Sequence, residues 1–224
     1  MEAHLLAVPF ENLDIHFGRP IVLTNSYNKI ILDKRGGFCY ELNGLFFELL
    51  QAIGFNAYLV SARVCNNNGS CGAEFDHLAI IVNIDNIKYL ADVGFGDFSF
   101  TPLKIELDTI RTNVAGTFKI SQFDDNYLVV SKHVNGQWVN EYIFTITKRD
   151  ITEFEGMLHY HQTSPESHFT QNKLCTLPTN SGRITLSGNK LKITNGSNST
   201  IKTLTNDVEF NEVLFTYFGI RIIL

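Results

Sequence analysis

The spacing of apolar residues predicts a helix in the first quarter of the chain. Over residues 38–53 the apolar positions recur at steps of three and four, which places them on one face of an α-helix. Gly54 follows, where a glycine that ends a helix is expected, and the pair Gly36-Gly37 comes just before the first apolar position. Cys39 is therefore predicted to lie in the first turn of this helix.

The middle of the chain has the pattern of β-strands. Residues 77–84 and 87–93 are two β-rich runs, and the pair Asp85-Asn86 between them is typical of a hairpin turn. Further strands are predicted over 55–64, 117–121, 127–132, 138–144 and 183–193. Helices are predicted over 1–8, 148–163 and 206–218. This order indicates a protein with a helical start, a β-rich middle and a mixed α/β end.

The overall composition is that of a globular protein. Of the 224 residues, 44% are hydrophobic and 18% are charged, and the net charge is -5. No run of Lys and Arg occurs, so neither a nucleic acid nor an anionic membrane is expected as a partner. No apolar stretch approaches the roughly 18 to 20 residues that span a bilayer. The oligomeric state is left open by these observations.

The four cysteines are Cys39, Cys65, Cys71 and Cys175. The first six residues lack a basic segment followed by an apolar run, so no secretory signal is expected. Thiols in a cytoplasmic protein are therefore expected rather than a disulfide framework. A zinc site formed by Cys39, Cys65, Cys71 and His77 is an alternative. The spacing of Cys65 and Cys71 is wider than the two to four residues of common zinc motifs, so no metal is predicted.

Cys39 is the candidate nucleophile. A thiol reacts as its thiolate, and an ordinary cysteine, with a pKa of about 8.5, is mostly protonated at neutral pH. The N–H groups and dipole at a helix N-terminus favour the anion. Gly36-Gly37 lets a substrate carbonyl approach the backbone, and the N–H groups of this segment are candidates to stabilise a tetrahedral oxyanion. The competing interpretation is a buried structural cysteine after a turn.

His77 is the candidate base, and Asp92 is its candidate partner. His77 begins one strand of the predicted hairpin, and Asp92 ends the other. A turn centred between Ile84 and Asp85 would place the two residues directly opposite each other, and a turn centred on Asp85-Asn86 would make them diagonal neighbours on one face. A turn centred on Asp85 alone would put them on opposite faces. If they touch, Asp92 can fix the imidazole tautomer and stabilise its cation.

Four blocks of the sequence resemble the arylamine N-acetyltransferase family. Residues 35–43, Arg-Gly-Gly-Phe-Cys-Tyr-Glu-Leu-Asn, resemble the active-site signature of that family. Residues 8–13, Val-Pro-Phe-Glu-Asn-Leu, come before it, and the His77 strand and residues 92–96, Asp-Val-Gly-Phe-Gly, follow in the family's order. The steps of 38 positions from Cys39 to His77 (77 − 39) and 15 from His77 to Asp92 (92 − 77) also match. The strong resemblance covers residues 8–96.

The resemblance implies an α+β, papain-like cysteine acyltransferase fold in three regions. These are a helical region with the nucleophile helix at 1–54, a β-barrel-like region with the His and Asp at 55–163, and an α/β lid at 164–224. Members usually carry a few more tens of residues before the block that begins at Val8. A shortened, incomplete N-terminal region is therefore expected, and with it an apolar face of the 38–53 helix that meets water.

The same resemblance implies a reaction. An acetyl group would move from acetyl-CoA to an arylamine, arylhydroxylamine or hydrazine by a ping-pong mechanism, with Cys39 as the acetylated nucleophile, His77 as the base and Asp92 as the orienting residue. Acetyl-CoA would be a donor, with no permanently bound cofactor, and the biological setting would be xenobiotic metabolism. Three residues match acceptor-pocket positions of the family, although ordinary core packing is the competing interpretation; they are Phe38, Val64 and Phe95.

Three alternatives stay open on the sequence. An amide synthase of the same fold, acting in natural-product biosynthesis, would keep the nucleophile and change the acceptor. A papain-like or transglutaminase-like hydrolase would keep the three side chains and change the reaction. A truncated family member would be weakly active or inactive.

Overall fold

The computed structural model describes residues 1–66 and 68–222. The α-helices are α1 (Glu2–Ala7), α2 (Leu13–His16), α3 (Cys39–Ala52), α4 (Glu155–Thr163), α5 (His168–Gln171) and α6 (Asp207–Phe218). The strands are β1 (Phe10–Glu11), β2 (Asn56–Val64), β3 (His77–Ile84), β4 (Ile87–Ala91), β5 (Leu103–Lys104), β6 (Arg111–Asn113), β7 (Gly116–Gln122), β8 (Leu128–Val134), β9 (Gln137–Phe144), β10 (Leu174–Thr179), β11 (Gly182–Ser187), β12 (Lys190–Asn195) and β13 (Asn198–Thr203). Short 3₁₀ helices occur at Leu23–Asn25 and Ile151–Phe154, and a π-helical turn occurs at Asn28–Leu32.

The chain forms two compact units. One consists of Met1 with Asn43–Met157, and the other of Glu2–Leu42 with the described part of Leu158–Leu224. The boundary between them falls within α3, so the first turn of the helix, from Cys39 to Leu42, belongs to one unit and the helix from Asn43 onward belongs to the other. The division of the sequence at residues 54 and 163 into three regions stays a prediction.

The first unit is built on an eight-stranded, nearly closed, barrel-like sheet. Its strand order is β5-β4-β3-β2-β9-β8-β7-β6, and every pair is antiparallel. Alternate residues of these strands point to one side, and their side chains form the core. The fully buried members include Ile81, Phe118, Val130, Tyr142 and Phe144. The expectation of a β-rich, barrel-like middle is confirmed.

The second unit contains a five-stranded antiparallel sheet in the order β1-β10-β11-β12-β13. Helix α6 contributes Phe210, Val213 and Leu214 to the core on this sheet. Asn206 caps the helix by accepting a hydrogen bond from the backbone N–H of Glu209, and Gly219 ends it in the left-handed conformation, with φ of 69°. The helix predicted over 206–218 is confirmed, as is the mixed character of this part of the chain.

Two of the predicted helices and strands need correction. The strand expected over 183–193 is two strands, β11 and β12, because Gly188-Asn189 turns the chain between Ser187 and Lys190. The helix expected over 148–163 begins later, at the 3₁₀ turn Ile151–Phe154, where Asp150 and Glu153 form a capping box. A cap placed at Asp150 leaves the two residues before it outside the helix.

Helix α3 confirms the first prediction from the apolar spacing. It spans Cys39–Ala52, and Gly54 follows it with φ of 94°, as a helix-ending glycine should. Most of its apolar residues are buried, and two near its C-terminal end are not: Leu49 is 49% and Ile53 is 62% exposed. Among the described residues, no helix is long and apolar enough to cross a membrane.

The expectation that all four cysteines are thiols is wrong for two of them. Cys65 and Cys71 form a disulfide. They lie directly opposite each other as an isolated antiparallel bridge, with Cα atoms 3.9 Å apart, and the backbone N–H of Asn66 donates to the carbonyl oxygen of Ser70 between them. The pairing also removes both residues from the zinc set considered above, since a disulfide supplies no thiolate ligand. Cys39 and Cys175 are outside this disulfide.

Candidate active site

The segment that leads into α3 is held by the block at residues 8–13. The backbone N–H of Gly37 donates to the carbonyl oxygen of Pro9 at 3.2 Å, and the N–H of Glu11 donates to the carbonyl oxygen of Gly37 at 2.9 Å. A Cβ atom on Gly36 would overlap the Pro9 carbonyl oxygen, so the approach of the two segments requires glycine there. Two of the sequence blocks are thus joined through their backbones just before Cys39.

The backbone amides immediately before Cys39 are already engaged. Gly37 N–H binds Pro9, and Phe38 N–H donates to the Glu41 carboxylate Oε2 at 2.8 Å. The second contact is half of a capping box, in which the third helical residue accepts from the N-cap amide. The hypothesis that these N–H groups stabilise an oxyanion is therefore wrong for Gly37 and Phe38. Cys39 itself is buried, with 4% of its surface exposed.

His77 and Asp92 form a buried pair. The β3–β4 register pairs Ile84 with Ile87, so the turn is centred on Asp85-Asn86, which have φ values of 50° and 62°. This is the arrangement that makes His77 and Asp92 diagonal neighbours on one face. His77 Nε2 lies 2.7 Å from Asp92 Oδ2, and the two residues are 2% and 0% exposed. The hairpin thus brings an imidazole and a carboxylate into direct contact.

Several donors keep Asp92 ionised. Burial by itself would raise the pKa of this carboxyl, but His77, the Asn43 side-chain amide and the Gly94 backbone N–H together hold the pKa below its ordinary value. Asn43 Nδ2 donates to Oδ1 at 2.9 Å, and Gly94 N–H donates to the same oxygen at 2.9 Å. An ionised carboxylate at this position can orient the imidazole and stabilise its protonated form.

Asn43 and Tyr142 belong to the site, and the sequence predictions did not name them. Asn43 also donates to the carbonyl oxygen of Leu78 at 2.6 Å and accepts from the Val93 N–H at 2.8 Å, so it joins α3 to both strands of the hairpin. The Tyr142 hydroxyl donates to Asp92 Oδ2 at 3.0 Å. Asn43 is the last residue of the signature block and lies one helical turn after Cys39. That spacing could have indicated that Asn43 belongs to the site. Tyr142 had none, because its strand pairs with β2 only in the folded sheet.

The three candidate pocket residues have different surroundings. Phe38 is fully buried, and its ring packs edge-on against Phe169 with centroids 4.6 Å apart, which is the core packing named as the competing interpretation. Phe95 is partly buried, and its ring lies 5.4 Å from the His77 ring. Val64, at the end of β2, is also partly buried. A role for any of these residues in binding an acceptor stays a prediction.

A buried cluster of five charged side chains lies in the unit that contains Cys39. Arg35 Nη2 is 2.6 Å from a Glu11 oxygen and 3.0 Å from an Asp14 oxygen. Lys29 Nζ is 2.7 Å from Asp14 and 2.8 Å from Glu41. Buried charges are retained only when paired in this way. Arg35 and Glu41 flank Cys39 in the signature block, so the cluster fixes both ends of that segment.

Comparisons with known proteins identify the family of this chain. A family model described as N-acetyltransferase matches residues 1–223. An arylamine N-acetyltransferase of Escherichia coli is 30% identical over 187 residues, which are 82% of this chain and 66% of that protein. This chain thus matches just under two thirds of that relative's length.

Solved structures show the same fold. An arylamine N-acetyltransferase from Bacillus cereus, described as having a Cys-His-Glu catalytic triad, superposes with a TM-score of 0.90 at 27% identity, covering 98% of this chain and 88% of that one. An arylamine N-acetyltransferase from Mycobacterium marinum in complex with CoA superposes with a TM-score of 0.88 at 26% identity, covering 97% and 83%. The fold, the family model and the relatives agree, and this chain belongs to the N-acetyltransferase family.

Proposed function

We propose that the protein transfers the acetyl group of acetyl-CoA to the nitrogen of an arylamine or hydrazine, or to an arylhydroxylamine. The observation that carries the proposal is the buried His77–Asp92 contact of 2.7 Å in a member of this family whose α3 begins with a cysteine. The CoA complex of the Mycobacterium marinum relative supports the donor. The Cys-His-Glu triad of the Bacillus cereus relative supports a carboxylate as the third member.

In the first half-reaction Cys39 is the nucleophile. Its thiol proton passes to the His77 imidazole, and Sγ attacks the acetyl carbonyl carbon of acetyl-CoA. The tetrahedral intermediate breaks the carbon–sulfur bond to CoA, and the departing CoA thiolate takes the proton from His77. Because Nε2 of His77 contacts Asp92, Nδ1 is the nitrogen that exchanges the proton. The product is an acetyl-Cys39 thioester.

In the second half-reaction the acceptor amine attacks that thioester. A new carbon–nitrogen bond forms, the bond between the acetyl carbon and Cys39 Sγ breaks, and His77 takes the amine proton and returns it to the Cys39 sulfur. The acetyl group arrives already activated as a thioester. Acetyl-CoA is therefore a co-substrate in this scheme, and no permanently bound cofactor takes part in a step.

Intact-mass measurement tests donor, intermediate and acceptor together. Incubation with acetyl-CoA should add one acetyl group, located on Cys39 by peptide mapping, and an arylamine should then remove it as the acetylated amine. Cys39→Ser should bring turnover below about a few per cent, because an alkoxide is far less accessible than a thiolate at neutral pH. Cys175→Ser is the matched control, since burial raises the pKa of the Cys175 thiol well above its usual range.

The same measurement separates the rival functions. A hydrolase or an amide synthase with the same three side chains would form no acetyl-Cys39 from acetyl-CoA, and an inactive member would form none with any acyl donor. Retained turnover in Cys39→Ser would contradict the proposed nucleophile. A cytoplasmic location and a role in xenobiotic metabolism stay predictions.

A further inference from the structure

The first turn of α3 carries a carboxylate whose charge is unfavourable for a neighbouring thiolate. Glu41 lies two residues after Cys39, is 2% exposed, and accepts the Phe38 N–H at 2.8 Å. The contact fixes the peptide that precedes the cysteine. Burial raises the pKa of the Glu41 carboxyl above its ordinary value, and Lys29 and the Phe38 N–H oppose that rise. The ionised carboxylate opposes a second anion in this turn, and low solvent exposure leaves the repulsion poorly screened.

Lys29 offsets that charge from outside the helix. Lys29 is 8% exposed, and its ammonium contacts Glu41 at 2.8 Å and Asp14 at 2.7 Å, with Glu11 at 3.8 Å. Burial by itself would lower the pKa of this lysine, but the three carboxylates raise it above its ordinary value. Lys29 is therefore a permanent cation in contact with the carboxylate that caps the Cys39 turn.

We propose that Lys29 and Glu41 are positioning residues for the Cys39 nucleophile. Glu41 fixes the backbone before the cysteine, and Lys29 supplies the compensating charge that lets a thiolate form there. The inference rests on the proposed function for the identity of the nucleophile, and it adds two residues that never touch the substrate.

The groups that surround the pair define the electrostatic balance. Glu11 comes from β1, Asp14 from α2 and Arg35 from the segment before α3, which makes three carboxylates and two cations with a net charge of −1. Two further titratable side chains lie close by: the Cys175 thiol on β10, paired with Glu11 in the sheet, and the His161 imidazole, whose ring packs against Phe38 and Tyr40.

This balance allows a charge-matched test. Lys29→Met changes the net charge of the cluster to −2, Glu41→Gln changes it to 0, and the double variant restores −1. The glutamine still offers a carbonyl oxygen to Phe38 N–H. Lys192→Met makes the same chemical change at an exposed position on β12 and is the control. The measurement is the rate of Cys39 alkylation by iodoacetamide between about pH 5 and 10, with melting temperatures recorded alongside.

The net charge of the cluster should determine how the rate of Cys39 alkylation depends on pH. Lys29→Met should slow alkylation at pH 7 about tenfold, which corresponds to a rise of about one unit in the apparent pKa of Cys39. Glu41→Gln should shift the profile in the opposite direction, and the double variant should return toward the parent. Lys192→Met should leave the profile unchanged.

Two results would overturn the inference. One is a lowered melting temperature in Lys29→Met with an unshifted profile, which would make the pair merely structural. The second applies if Lys29→Met does not fold: an unshifted alkylation profile in Glu41→Gln would then overturn the inference. Alkylation needs no acetyl-CoA, so its result does not depend on acetyl transfer. A protein that fails to transfer acetyl groups would contradict the proposed function, and the alkylation profiles would still decide whether Lys29 and Glu41 position Cys39.

Discussion

At the scale of single residues, Asp92 is defined by the donors around it. Its two oxygens accept from the side chains of Asn43 and Tyr142 and from two backbone N–H groups, and they contact His77. A buried carboxylate with this many partners is ionised and fixed in orientation. The donors are unequal, because Asn43 also bonds to two backbone groups of the hairpin whereas Tyr142 makes a single bond.

This inequality predicts the order of two variants. Asn43→Ala should lose about 2 to 4 kcal/mol in the free energy of unfolding, because several buried groups lose their partner, and Tyr142→Phe should lose about 1 kcal/mol. The pKa of Asp92 is lower in the folded state than in the unfolded state. Its ionisation therefore stabilises the folded protein at pH values above the unfolded-state pKa, and this stabilisation is lost as the pH falls. The Asn43 variant should have less of this contribution and a flatter acid dependence.

Urea denaturation from about pH 3 to 8, paired with acetyl-transfer rates, checks both statements. Asn56→Ala, at an exposed position on β2, is the control. Equal losses for the two variants would contradict the central role given to Asn43.

The carboxyl of Glu141 should make stability depend on pH in the opposite direction to Asp92. Burial raises the pKa of its carboxyl from 4.5 to about 7, with Asp97 adding to the rise and Lys132 opposing it. The folded state then binds the proton more tightly than the unfolded state, so stability falls as the pH rises through that window. Glu141→Gln should remove the loss and stabilise the protein at pH 8 by on the order of 1 kcal/mol, after allowing for partial exposure.

The difference in melting temperature between Glu141→Gln and the parent should vanish near pH 4 and grow up to about pH 8. Glu166→Gln, at an exposed position, should show no such trend. A constant difference across the range would contradict the raised pKa.

At the scale of elements, the entry to α3 depends on one glycine. Gly36→Ala would force its Cβ against the carbonyl oxygen of Pro9 and separate the two segments that hold the Cys39 turn. We expect a loss of about 2 kcal/mol or more in stability and at least tenfold in acetyl transfer, because small displacements of a reacting group are costly.

Gly44→Ala, in the same helix, is the matched control. Its Cβ would meet only Ile151 Cδ1, at 3.8 Å, an ordinary contact. This variant should be stabilised by about 0.5 to 1 kcal/mol, since alanine favours a helix interior. Melting temperature and acetyl-transfer rate measure both changes, and equal behaviour of the two variants would argue against the close approach at Gly36.

At the scale of the molecule, an apolar surface near the end of α3 includes two exposed side chains, Leu49 and Ile53. A cavity of about 540 Å³ is lined in part by Leu49, Leu50, Ile53 and Phe55. A surface of this kind promotes association between copies. Leu49→Gln combined with Ile53→Gln should reduce light scattering at rising protein concentration and leave the melting temperature within about 2 °C. Leu50→Gln is the control, because Leu50 is only 9% exposed and should cost several degrees. Unchanged scattering in the double variant would contradict the assignment of this surface.

The sequence alone determined the local features. The 38–53 helix follows from apolar spacing and a glycine at its end, and the 77–93 hairpin follows from two β-rich runs around Asp85-Asn86. These signals act over a few residues, so no knowledge of distant contacts is needed to interpret them. The order and spacing of four blocks also indicated the family, which the comparisons confirmed.

The tertiary structure decided everything that depends on residues distant in sequence. It selected the hairpin register that brings His77 to Asp92, where the sequence allowed three. The backbone N–H groups that were candidates to stabilise an oxyanion donate instead to Pro9 and Glu41. Two cysteines expected to be thiols form a disulfide. Apolar periodicity specifies which face of an element is buried, but not which backbone or side chain comes to lie against it. That is decided only when the whole chain packs.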